Sequence, residues 1–106
     1  MKTSLRVNSS DIPLNVFTQE YIANVLFGIV RSFGPDAKEI NLIIDAGILS
    51  IGTDRGPLKL RKDFSRQLIH NTIKGMLSPL KGVLWLENIT ISSRKTHKQA
   101  AVGDRK

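Results

Sequence analysis

The chain has 106 residues, 41% of them hydrophobic and 24% charged, with no cysteine and a formal net charge of +7. This balance suits one globular domain with a core of its own and lies away from the low-hydrophobicity, high-charge composition of disordered chains. The absence of cysteine excludes disulfide frameworks, thiolate metal centres and a thiol nucleophile.

In chain order, residues 4–8 alternate like a strand, and Asn8-Ser9-Ser10-Asp11 is turn chemistry. Pro13 favours an extended residue before it, and Asn15 is placed to cap a helix running to about Phe33, where Gly34-Pro35 stops it. Residues 40–44 read as a buried strand. Residues 48–52 open a second strand, turn through Thr53-Asp54-Arg55-Gly56 and return over 57–60 as a hairpin. Asp63 is expected to cap a second helix, whose apolar Phe64, Leu68, Ile69, Ile73, Met76 and Leu77 recur at spacings of three and four until Pro79 ends it near Ser78. Residues 87–92 form a last strand. A mobile basic tail then runs over residues 93–106.

Shifting the chain by 47 residues places Phe17, Ile22, Asn24, Leu26, Gly28 and Ile29 over Phe64, Ile69, Asn71, Ile73, Gly75 and Met76. Two copies of one unit, at about 3–45 and 46–92, are therefore expected within a single α+β domain over 1–92. The order of major elements is βαββαβ with hairpin elaborations. It fits a ferredoxin-like antiparallel sheet with two helices on one face. That architecture carries no function by itself.

The two helices differ along one stripe, where helix one has Val16, Ala23 and Phe27 and helix two has Asp63, His70 and Lys74. With Phe17, Ile22, Leu26, Ile29, Val30 and Phe33 taken as its core face, the first helix is apolar nearly all round. Val16, Ala23 and Phe27 then become candidate interface residues of a homo-oligomer, a symmetric dimer in its simplest form, unless the helix is rotated and they belong to the core. Residues 1–54 hold four basic and six acidic side chains, whereas residues 55–106 hold twelve and three. The alternative site is thus a basic face made of Arg55, Lys59, Arg61, Lys62, Arg66 and Lys74, extended by Arg94, Lys95 and Lys98 and suited to nucleic acid or another polyanion. A solvated helix face is the plainer account of the same residues. The strands carry no aromatic residue on which bases would stack, and Trp85 precedes the last strand.

No catalytic, metal or cofactor constellation assembles from the sequence. His70 and His97 have no neighbouring carboxylate, Asp45 and Asp54 meet only if folding pairs them, and neither glycine-rich turn matches a phosphate loop. Gly28 and Gly75 are expected to allow close packing of the helices. Residues 1–10 have no apolar leader core, and the densest apolar run, 25–30, is far short of the roughly 20 residues that span a bilayer, so a cytoplasmic protein away from membranes is expected. The reading that ranks first is a non-enzymatic interaction module that self-associates through helix one.

Overall fold

The computed structural model describes residues 1–80 and 88–95. Six strands form one antiparallel sheet: β1 (Lys2–Val7), β2 (Ser10–Ile12), β3 (Glu39–Asp45), β4 (Ile48–Thr53), β5 (Gly56–Pro57) and β6 (Asn88–Arg94), in the order β2-β1-β6-β3-β4-β5. Helices α1 (Val16–Arg31) and α2 (Asp63–Leu77) complete the domain. Trp85, Glu87, His97 and Lys98 lie outside the described residues.

Short turns set the hairpins. Asn8 and Ser9, both at positive φ, join β1 to β2, and Ala46 at φ 53° with Gly47 at φ 82° joins β3 to β4; glycine and asparagine accept this left-handed backbone at low cost, whereas alanine holds it only within the tight turn. The strands alternate strictly, so Leu5, Val7, Ile40, Leu42, Ile44, Leu49, Ile51, Ile89 and Ile91 face one side. Both helices cover that side and share its core through Ile22, Leu26 and Val30 of α1 and Ile69, Ile73 and Leu77 of α2. The other side is open. It presents Ser4, Arg6, Asn41, Ser92 and Thr90, the exposed Ile43 and, among the described residues, no aromatic ring.

Several expectations change. A ferredoxin-like sheet sets its four strands in the order fourth, first, third, second. Here the four long strands run first, fourth, second, third, because the last strand of each half, β3 and β6, takes the centre and the short returns β2 and β5 close the edges. The tail does not begin at residue 93: Ser93 is buried within β6, and its hydroxyl lies 2.8 Å from that of Thr3. Asp63 is not a cap but the first residue of α2. Lys62 occupies the N-cap position and makes no side-chain capping bond there. Asn15 does cap α1, its Oδ1 accepting the Thr18 N–H at 2.7 Å.

Exchanging β1 with β4, β2 with β5 and β3 with β6 reads the strand order backwards. Each half is thus a ββαβ unit, and the halves meet along the β3–β6 ladder from Glu39 opposite Arg94 to Asp45 opposite Asn88.

Candidate functional site

Advancing 100° per residue, Ile22, Leu26 and Val30 define the inward arc of α1, and Ala23 and Phe27 extend it. Ala23 is fully buried and Phe27 only 7% exposed, with the Lys95 ammonium 5.0 Å above its ring. The stripe expected at a subunit interface is therefore core. Of its residues only Val16, in the first turn, remains exposed.

The residues this rotation displaces are large. Phe17, expected in the core, is 75% exposed and stacks on Tyr21 with ring centroids 6.1 Å apart. On α2 the equivalent Phe64 is 74% exposed, and the pair Tyr21 and Leu68 match at 53% and 55%. All four lie on the arc pointing away from the sheet. Phe33, just beyond α1, is also exposed and borders a cleft of about 440 Å³ between the helices, lined by Ile29, Phe33, Ser65, Leu68, Ile69 and Thr72. Gly28 and Gly75 share the outward arc, and a Cβ added to either meets nothing within 4 Å. The close packing expected of them does not occur among the described residues.

The basic residues gather on the β5 side of the sheet. Arg55 sits in the β4–β5 turn, Lys59, Arg61 and Lys62 in the segment leading to α2, and Arg66 and Lys74 on α2, all of them exposed. The ion pairs among the described residues join Met1 to Glu20, Arg6 to Asp11, and Arg31 and Lys95 to Asp36, so none engages this set. Arg94 and Lys95 do not extend it: Arg94 ends β6 between β1 and β3, and Lys95 is held at Phe27. Beside α2 a second cleft, of about 350 Å³, is lined by Ile48, Leu49, Asp63, Arg66, Gln67 and His70. The Arg66 guanidinium reaches the Leu49 carbonyl there at 3.5 Å.

Folding does not pair the carboxylates. Asp45 and Asp54 stand at opposite ends of the β3–β4 hairpin. Asp54 accepts the backbone N–H groups of Glu39 at 3.1 Å and Lys38 at 2.8 Å, which hold its carboxyl below the ordinary aspartate range. It serves a turn. Among the described residues no group of three or more His, Asp or Glu side chains is placed to hold a metal, and no helix is long and apolar enough to cross a membrane. No protein-family model matches the chain, and no curated protein or solved structure matches it.

Proposed function

We propose that this protein is a non-enzymatic assembly module that pairs with a second copy of itself through the outward face of its two helices. The observation that carries this reading is the matched exposure of Phe17 with Phe64 and of Tyr21 with Leu68. Leaving two phenylalanines and a tyrosine mostly in water gives up the burial that makes aromatic side chains the main contributors to cores and interfaces. Phe17, Tyr21, Phe64 and Leu68 together expose on the order of 500 Å² of accessible surface, toward the upper end of the roughly 300–600 Å² of the largest apolar patch on a typical monomer.

The exchange symmetry of the sheet supports a two-fold pairing, because both ends of the helical face carry similar side chains and an isologous contact sets like surfaces together. Gly28 and Gly75 leave room on that face for a partner's backbone. The same symmetry, with the pattern shared by Phe17 to Ile29 and Phe64 to Met76, supports reading the chain as a duplicated ββαβ unit.

The test is solution mass by light scattering at low and high salt. The native chain is expected to be a dimer whose mass does not change with salt, and Phe17→Glu combined with Phe64→Glu to be a monomer with an unchanged far-UV spectrum. A native chain that is monomeric in both buffers would overturn the reading.

A further inference from the structure

We infer that the flank of α2 facing the β3–β4 turn, with the segment leading into it, binds the phosphate backbone of nucleic acid without reading bases. The argument comes from comparing the same flank in the two halves. On α1 this flank is closed. Gln19 accepts the Thr3 N–H through Oε1 at 3.2 Å and donates from Nε2 to the Leu14 carbonyl, the Thr3 hydroxyl donates to the Gln19 carbonyl, and Ala23 and Phe27 continue the seal. The residues 47 positions later, Arg66, His70 and Lys74, stand where Gln19, Ala23 and Phe27 stand. Arg66 and Lys74 are exposed, His70 is half-buried, and the space between Arg66, His70 and the β3–β4 turn is the open cleft of about 350 Å³. One half spends this flank on packing; the other leaves it open and cationic.

Four residues of helix advance about 6 Å, so Arg66, His70 and Lys74 form a row with that step, and Arg61 and Lys62 lie in the extended segment that leads into its start. Lys59 and Arg55 follow along the β5 edge. Among the described residues Asp63 is the one carboxylate lining the cleft and no ion pair neutralises the row, although the Asp54 carboxylate lies close enough to Arg55 to feel its charge. A line of cations fits a linear polyanion. An anionic lipid surface would attract the same charges, but it is a plane, whereas the cations lie in a row beside a cleft, and the vesicle arm of the test below separates the two. With no aromatic side chain on this flank among the described residues, binding rests on charge and is tolerant of sequence. The row and the outward apolar face occupy different arcs of α2, so this inference stands or falls independently of self-association.

The test is fluorescence anisotropy of the full chain with a labelled single-stranded oligonucleotide across a salt series, beside flotation with vesicles rich in anionic lipid. The six Arg and Lys side chains of the row and the β5 edge, all on phosphates, give an expected slope of log affinity against log salt of about −4.2. Arg66→Gln with Lys74→Gln is expected to weaken binding by roughly tenfold at moderate salt and to flatten the slope by about 1.4. Lys2→Gln with Arg94→Gln removes the same charge from the open side of the sheet and is expected to cost far less. Equal losses in the two double variants would overturn the inference, because net charge alone would then account for binding. Absent or salt-insensitive binding, or tighter binding to the vesicles than to the oligonucleotide, would overturn it as well.

Discussion

At the turn between β4 and β5 a single carboxylate ties two segments together. Asp54 accepts from the Glu39 and Lys38 N–H groups where the chain enters β3, and Thr53 braces the same turn through its hydroxyl, which donates to the Gly56 carbonyl at 2.8 Å and accepts the Arg55 N–H at 2.9 Å. Because these bonds favour the charged form, the folded carboxyl is more acidic than the unfolded one. Its stabilisation is fully present above the ordinary aspartate range and is lost as the pH falls through the lowered folded value. Asp54→Asn keeps an acceptor but removes the charge. It is expected to lower the denaturation midpoint at neutral pH, with the gap to the native chain closing in acid below the folded value. A gap unchanged by acid would show that the charge contributes nothing. The sequence showed Asp54 as a turn residue and a possible partner of Asp45; that it instead holds the start of β3 depends on the pairing of β3 with β4, which local spacing does not encode.

The helices show what periodicity reveals and where it stops. Their existence, the Asn15 cap and the stop before Pro79 were legible, because caps and breakers act within a few residues. The facing arc was not, since hydrophobicity ranks Phe17, Phe33, Phe64 and Leu68 above Ala23 as core candidates. Yet a signal was available: Ile22, Leu26 and Val30 recur every four residues, and so do Ile69, Ile73 and Leu77, which leaves Phe17 and Phe64 off both lines. The inward arc follows those lines, and the residues left outside it became the candidate surface. The helices also differ at their first turns, for α1 has a side-chain cap and α2 has none. Asn15→Ala is expected to cost about 1 kcal/mol, and Lys62→Ala much less, as read from urea denaturation midpoints. Equal costs would mean that the Asn15 bond to Thr18 does not hold α1 in solution.

At the scale of the whole molecule the sheet interlocks its halves. β1 and β3 belong to the first unit but do not touch, because β6 of the second unit lies between them; β4 and β6 are likewise separated by β3. The strands were legible one at a time, whereas their order was not, since the alternation that marks Ile40, Leu42 and Ile44 as half-buried is silent about which strand lies alongside. Interlocking means that neither unit can close its own sheet: the first alone has a gap one strand wide under α1, and the second has one under α2. The apolar faces of Leu42 and Ile91, fully buried at the centre of the shared ladder, would then meet water. Residues 1–47 and 48–106 made as separate chains are therefore expected to be unfolded alone, with collapsed amide dispersion and little far-UV signal, and to regain the native spectrum when mixed in equal amounts. A half that folds cooperatively by itself would show that the unit closes without its neighbour's strand, and the central β3–β6 ladder would then be a docking of two finished units rather than the condition for either to form.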